Sequence, residues 1–573
     1  MDPMKYIVPG RKRLPYGMMN FADIRLDNYY YVDKTRFIPM IEEADRFFFF
    51  IRPRRFGKSL TLNLLQHYYD VRTRDQFEAL FGDLYIGKHP TPDRNSYLVL
   101  YLNFSGITGE LNNYRKGLDA HCQICFDFFC EVYADLLPQG IKEKLDAIEG
   151  AVNQFDFLYH ECERAGRDMY LFIDEYDHFT NAILADPESL HRYTNETHGE
   201  GYLRAFFNKV KAGTYSSIKR CFITGVSPVT MDDLTSGFNI GTNYSLSPDF
   251  NQMMGFTEEE VFKALDEQGL SGKKNDVKIW YDGFRFGSKN DIYNPWSIIN
   301  YLDKKKIAMY WAESSSNGLI NSLVQKGSSN IKMMVEKLIN GSTINVVIDE
   351  QIVFSELDYS EDAIWSLMLA SGYLKVISSE ELNLIRESDN EYELALTNRE
   401  ILFMFKKMIL RWFSPAKSET NEFIKALITG DIESMNEYMN DVALRTFSSF
   451  DSGNHTSDKK APENFFHGFV LGLMVDQSDN YIITSNRESG FGRYDIMLEP
   501  KDKQSEKYPG IVIEFKVINP RRENSLEETV EAALKQIEEK NYDAELINRG
   551  VDKENIHHYG FAFRNKEVLI DGR

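Results

Sequence analysis

A strand-length aromatic run, Phe47-Phe48-Phe49-Phe50-Ile51, leads straight into the basic segment Arg52-Pro53-Arg54-Arg55-Phe56-Gly57-Lys58-Ser59-Leu60 and then into the helix-like stretch Thr61 to Leu65. This segment limits the fold more than any other. A buried strand, a tight turn and a helix, in that order, make a phosphate-binding loop. The turn's backbone N–H groups and the helix N-terminus together form an anion site. On this reading Lys58 reaches the β- and γ-phosphates of a nucleotide and the Ser59 hydroxyl holds Mg²⁺. The pattern departs at one place, where Arg52 stands in the position of the leading Gly. A surface loop carrying three arginines is the competing reading of the segment.

Size and composition narrow the setting. A chain of 573 residues is too long for one core, and three or four domains are expected. Apolar residues are 43% and charged residues 27%, ordinary for a soluble chain. No apolar run approaches the ~20 residues that cross a bilayer. The start, Met1 to Lys5, has no signal-peptide pattern, and five cysteines in this length suit a reducing compartment, so a cytoplasmic setting without a membrane is expected. Cys122 and Cys125 have no second pair at zinc-finger spacing; beside Phe126, Phe128, Phe129 and Cys130 they read as buried small hydrophobes on a helix. A net charge of −21 argues against coating duplex DNA, so any DNA contact uses a local patch.

The order of elements points to a parallel sheet. Tyr97 to Phe104, Asp168 to Glu175 and Lys219 to Gly225 read as buried strands, separated by helical stretches over about 114–161 and around Leu203, Phe206, Phe207 and Val210. The candidate groups then fall at the strands' C-terminal ends, where open α/β sheets bind ligands. Asp174 would hold Mg²⁺ through water, and Glu175 would orient the attacking water as general base. The competing reading is a strand end capped by solvated acids. Thr224 ends the next strand, where its hydroxyl would meet the γ-phosphate. Arg54 and Arg55 either neutralise a bound triphosphate or brace the loop through Asp33 or Asp177. Residues from Thr257 to about Ser328 read as helical and aromatic, and from there to Phe447 as mainly helix with one short strand, Gly372 to Ile377. Ser448 to Lys460 has almost no apolar content and reads as a linker.

A second constellation lies near the C-terminus. Tyr481 to Thr484, a strand from Asp495, and Gly510 to Val517 read as three strands. Alternation puts Glu514 and Lys516 on one face and Phe515 on the other. Asp495 on a neighbouring strand can join Glu514 around one Mg²⁺, with Lys516 placed to orient water or steady a pentavalent phosphate. The spacing of Asp495 and Glu514 fits a β-hairpin. Leu526 to Lys540 reads as an amphipathic helix with Ala533, Leu534 and Ile537 on one side. The competing reading is a half-exposed strand with a surface Glu–Lys pair.

Together these words resemble the family of AAA-ATPase-like proteins joined to a PD-(D/E)xK nuclease domain. The resemblance rests on Tyr31-Val32-Asp33-Lys34-Thr35, Arg52 to Ser59, Ile173-Asp174-Glu175-Tyr176-Asp177, Thr224-Gly225-Val226-Ser227, Asn294-Pro295-Trp296-Ser297 and the C-terminal Asp495, Glu514 and Lys516. It covers nearly the whole chain. It implies that Arg52 in place of Gly is the family's own form and that ATP binds along Arg52 to Ser59, with Asp174 and Glu175 as the second acidic motif. It further implies a metal-site acid at Glu463 and a site position for Gln536, with Tyr542 just after it. Tyr494 stands where that class usually has Pro.

The expected architecture is α/β and multidomain: an AAA-type P-loop ATPase over residues 1–256, a helical lid and winged-helix-like middle over 257–447, a linker over 448–460 and a restriction-endonuclease-like domain over 461–573. The expected function is ATP binding or hydrolysis coupled to a Mg²⁺-dependent nuclease acting on DNA. Defence against foreign DNA is an extension that no residue shows, and a homo-oligomer stays open. The alternative is a nucleotide-switched DNA-binding or scaffold protein whose nuclease fold does not cut.

Overall fold

A computed structural model describes residues 12–573 apart from 108–113, 179–200, 227–240, 288, 313–319, 322, 325–328, 340, 349–359, 378–390, 413–416, 448–479, 486–487, 490–491, 494, 506, 519–522 and 565–566. The expected linker 448–460 and the candidate ligand Glu463 lie outside the described residues. The chain divides into two compact units, 1–323 with 343–404 and 324–342 with 405–573. No helix among the described residues is long and apolar enough to cross a membrane.

In the first unit, β1 (Phe47–Ile51), β2 (Leu98–Asn103), β3 (Met169–Asp174), β4 (Ile218–Gly225) and β5 (Thr242–Asn243) form one five-stranded sheet in the order β2-β3-β4-β1-β5. Every pairing is parallel. A sheet of this kind is covered on both faces, which explains strands that read as unbroken apolar runs. Phe48 stacks on Phe222 at 4.7 Å and on Tyr244 at 4.4 Å. Phe48, Phe50, Phe172 and Phe222 share one core with Leu62, Leu64 and Leu65 of the helix Lys58–Tyr69. That packing anchors the helix whose first turn forms the phosphate loop.

The middle of this unit holds more strand than the sequence pattern suggests. β6 (Phe256–Thr257), β7 (Phe284–Phe286) and β8 (Lys289–Tyr293) form a small antiparallel sheet, and β9 (Ile344–Val347), β10 (Leu374–Val376) and β11 (Glu391–Leu396) form another. Only β10 was expected. The others run two to six residues, too short for a period of two to stand out beside helical neighbours. The five cysteines are free thiols; Cys122 is buried as expected, but Cys125 is only half-buried and Phe128 is 66% exposed.

In the second unit, β12 (Tyr481–Ser485) is followed by a ribbon of β13 (Glu488–Ser489) and β14 (Gly492–Arg493). The main sheet adds β15 (Ile496–Pro500), β16 (Gly510–Val517), β17 (Ile556–Arg564) and β18 (Glu567–Gly572), in the order β12-β15-β16-β17-β18. Only the β16–β17 pairing is parallel. One face (Ile496, Leu498, Ile511, Ile513, Phe515) packs on the helices Lys417–Thr429 and Ile432–Phe447. The other face (Met497, Val512, Ala562) packs on the helix Leu526–Lys540. That helix starts at an Ser525 cap and stops at Asn541, whose left-handed φ of 53° ends the turn.

Candidate active sites

The loop after β1 is a tight turn held at several points. Gly57 takes φ 89° before the helix begins, a conformation that a side chain resists. Arg55 (φ 65°) and Glu175 (φ 51°) also adopt left-handed backbone, at a cost of roughly 1–2 kcal/mol each. Lys58 opens the helix and is buried. Its Nζ donates to Arg52 O at 3.0 Å and Pro53 O at 3.1 Å. An ammonium has three donors, so one remains for a phosphate oxygen. Burial pulls the Lys58 pKa down, while Asp174, Asp177 and Glu175 hold it up.

Asp174 ends β3 on the same rung as Asn103 of β2. Its carboxylate accepts from Tyr101 Oη at 2.9 Å and from Glu175 N at 3.0 Å. Burial raises its pKa against the pull of the Ser59 hydroxyl and Lys58. The Ser–Asp pairing joins the loop to the second acidic motif. Glu175 faces His178, with Nδ1 3.6 Å from Oε2, and that contact, with Lys58 and Arg54, keeps its carboxyl below the usual range. A cavity of about 520 Å³ opens beside these groups, lined by Lys34, Arg54, Lys58, Ser59, Glu175 and His178 on its polar side. Met18, Tyr31, Met253, Met254 and Ile299 contribute its apolar wall. The volume and the split of polar and apolar surface suit a ligand with a charged end and a flat apolar end.

Two candidate ligands are placed otherwise. The Arg52 guanidinium is 1% exposed and sealed between the rings of Phe50 (4.1 Å) and Phe286 (3.9 Å). It donates to Ile51 O at 2.9 Å and Ser245 O at 2.6 Å, and burial lowers its pKa to about 9. Its side chain is a plug under the loop and lies outside the residues that line the cavity, so what Arg52 offers the loop is its backbone. Thr224 is fully buried and gives its hydroxyl to Phe50 O at 2.6 Å, bridging β4 to β1 instead of turning to the cavity. Phe56 is likewise buried against Phe284 and Phe286, leaving only its backbone for the loop.

Lys34, Asn294, Trp296 and Trp311, which contact the loop or line the cavity, were assigned no role from the sequence. Lys34 forms a half-buried ion pair with Glu260 at 2.7 Å and donates to Gln252 O at 3.0 Å. Arg55 lies over the Trp296 ring at 4.5 Å. The Arg54 carbonyl receives Asn294 Nδ2 at 3.2 Å and Trp311 Nε1 at 2.8 Å. Lys34, Asn294 and Trp296 belong to words that carried the family resemblance, which marked them without giving a role. Asp33, one brace considered for Arg54 and Arg55, receives Thr35 N and Tyr85 N instead, each at 2.8 Å.

The second site sits on the sheet face that meets the helix Leu526–Lys540. Asp495 lies one step beyond the Ile496–Ile513 rung of the β15–β16 pair, which puts it opposite Glu514 on the same face. Asp495 Oδ2 accepts from Phe515 N at 2.8 Å, and Glu514 is 4% exposed. Lys516 Nζ is 3.8 Å from Glu514 Oε1. Gln536 ties the group together: Lys516 donates to its Oε1 at 2.6 Å, and its Nε2 bonds Glu514 Oε1 and reaches Tyr542 Oη at 3.0 Å. Burial raises the Tyr542 pKa, and Glu514 and Asp495 add to it. Phe515 points the other way, into a stack with Phe563 at 5.9 Å. Two carboxylates in this setting offer hard oxygens, the donor set Mg²⁺ prefers when water completes its shell. Among the described residues no third His, Cys, Asp or Glu joins them.

A parallel sheet with a phosphate loop and an acid-ended neighbour strand, followed by a mixed sheet bearing Asp, Glu and Lys, defines an ATPase-like protein with a nuclease-like second fold. The family model of predicted AAA-ATPases matches residues 15–235, and that of the PD-(D/E)XK nuclease superfamily matches residues 461–572. Both domain models are thus found in the same chain. An uncharacterized protein in the vnfD 5' region of Azotobacter chroococcum mcd 1 is 24% identical over 429 residues, 74% of this chain and 75% of the relative. The Walker-type ATPase of Pyrococcus abyssi is a structural neighbour with a TM-score of 0.34 and 11% identity, covering 65% of this chain and 94% of its own.

Proposed function

We propose that this protein binds and hydrolyses ATP at the first site and cuts DNA phosphodiesters at the second, with the nucleotide state governing the cutting. The observation that carries the reading is the joining of two phosphate-directed groups in one chain: Lys58, Ser59 and Glu175 lining a cavity with Asp174 buried beside Ser59, and Asp495, Glu514 and Lys516 on one sheet face under Gln536 of the helix Leu526–Lys540. At the first site Lys58 draws charge from the phosphates and Glu175, kept ionised by His178, receives the proton of the attacking water. The apolar wall takes the base. At the second, Lys516 orients water and steadies the phosphate, while Gln536 sets the directions of Lys516 and Glu514. Ser59 with Asp174, and Asp495 with Glu514, would hold Mg²⁺, which supplies charge neutralisation at phosphate oxygens. Defence against foreign DNA is an extension of the same reading.

The second reading is a nuclease fold that grips DNA without cutting. It draws on one contact set: Gln536 already engages both Glu514 and Lys516. Filter binding of labelled ATP and DNA separates the readings. Lys58→Ala should lose ATP, and ATP retention at wild-type level would sink the phosphate-loop assignment. Glu514→Ala and Lys516→Ala should keep DNA binding while strand breaks vanish; a wild type that binds DNA without breaking it under ATP and Mg²⁺ supports the second reading.

A further inference from the structure

The three arginines after β1 occupy three different environments. Arg52 is the plug between Phe50 and Phe286. Arg55 lines the cavity, but it is exposed and committed to the Trp296 ring. Arg54 lines the same cavity as Lys58, Ser59 and Glu175, and among the described residues its guanidinium makes no hydrogen bond or ion pair. Its backbone is fixed from behind, because the Arg54 carbonyl is held by Asn294 Nδ2 and Trp311 Nε1. The pinned carbonyl fixes where the Arg54 side chain leaves the loop, beside the cavity that it lines.

We propose that Arg54 is a catalytic residue supplied in cis, donating to γ-phosphate oxygens as charge collects there during ATP hydrolysis. Other nucleotide hydrolases often take this arginine from a neighbouring molecule. The proposal rests on the ATPase reading. In the step, a water oxygen bonds to the γ-phosphorus as the bond from that phosphorus to the β–γ bridging oxygen breaks. The bridging oxygen keeps the electron pair and leaves as part of ADP, and the water proton passes to Glu175. Arg54 exchanges no proton; its planar fork of donors meets two oxygens at once, which a lysine does not match. The same placement makes a second copy of the chain unnecessary for turnover.

The test is a kcat and KM comparison of wild type, Arg54→Ala and Arg54→Lys, with melting temperature and ATP filter binding on each. Arg54→Ala should lose about 10³-fold in kcat or more while its ATP affinity stays within about tenfold of wild type. Arg54→Lys should recover only a small part of the rate. Wild-type activity per molecule should stay constant as protein concentration is varied. An Arg54→Ala that keeps kcat and loses only KM overturns the assignment, as does activity per molecule that climbs with concentration. The ATPase reading is judged separately: a wild type that binds no ATP overturns both claims, whereas a wild type that turns ATP over beside an equally fast Arg54→Ala overturns this one alone.

Discussion

Burying a charge in a protein is costly unless its polar atoms are met, and Glu400 shows how far the first unit goes to meet one. It is 1% exposed; Oε1 accepts the backbone N–H groups of Tyr310, Trp311 and Ala312, and Oε2 accepts from Ser297 Oγ. Those contacts place Trp311, whose indole N–H holds the Arg54 carbonyl. Burial nevertheless pushes the Glu400 pKa from 4.5 up to about 7. The folded state therefore holds this proton more tightly than the unfolded state between those two values. Its stabilising effect is complete below about pH 4.5 and is lost as pH rises through about 7, on the order of 3 kcal/mol in all. Asp282, raised to about 7 by burial and by Asp291, acts in the same direction, so the difference between variants is the informative quantity. In denaturant melts from pH 5 to 8, Glu400→Gln should flatten the dependence; an unchanged slope would contradict the assignment. Such pairings are not legible in sequence, because the spacing of Ser297, Tyr310 and Glu400 along the chain carries no sign of their meeting.

The elements that were legible are those whose packing is local and periodic. The strand–loop–helix at 47–69 and the helix Leu526–Lys540 each declare themselves through an apolar run or stripe with clear ends. The short strands β7, β8, β9 and β11 were missed because pairing partners elsewhere in the fold decide them. A helix acting on a strand edge was equally hidden. β18 closes one side of the second sheet, and two asparagines one turn apart on the helix Ile432–Phe447 cover its outer edge. Asn436 both donates to Ile570 O and accepts from Ile570 N, each at 2.7 Å. Asn440 does the same for Val568, at 2.7 and 2.9 Å. The amides thus stand in for a sixth strand and block pairing with another chain. Asn436→Ala and Asn440→Ala should each cost about 1–2 kcal/mol in urea unfolding. The double variant should scatter light increasingly with concentration. A double variant as stable and as monodisperse as wild type would remove the edge-covering role.

Across the whole molecule, the residue types needed for two phosphate chemistries could be read from the sequence, but their sorting into roles could not. Lys58, Ser59 and Asp174 are linked, and so are Asp495, Glu514, Lys516 and Gln536. Arg52 and Thr224 have the right residue type in the right place, yet their side chains are spent on the main chain and on aromatic faces. A one-dimensional pattern gives a position on the loop but not the direction of the side chain, and direction separates Arg52 from Arg54. On the proposed function, the carboxylate face of β16 breaks DNA and the phosphate loop powers or permits the cutting. The most direct measurement is strand breakage of supercoiled plasmid by wild type and Glu514→Ala, side by side with Mg²⁺, with and without ATP. Wild type should convert supercoiled to nicked or linear DNA in an ATP-sensitive manner, and Glu514→Ala should leave the plasmid intact while still hydrolysing ATP. Equal cutting by both proteins, or no cutting by wild type under any of these conditions, would contradict the account.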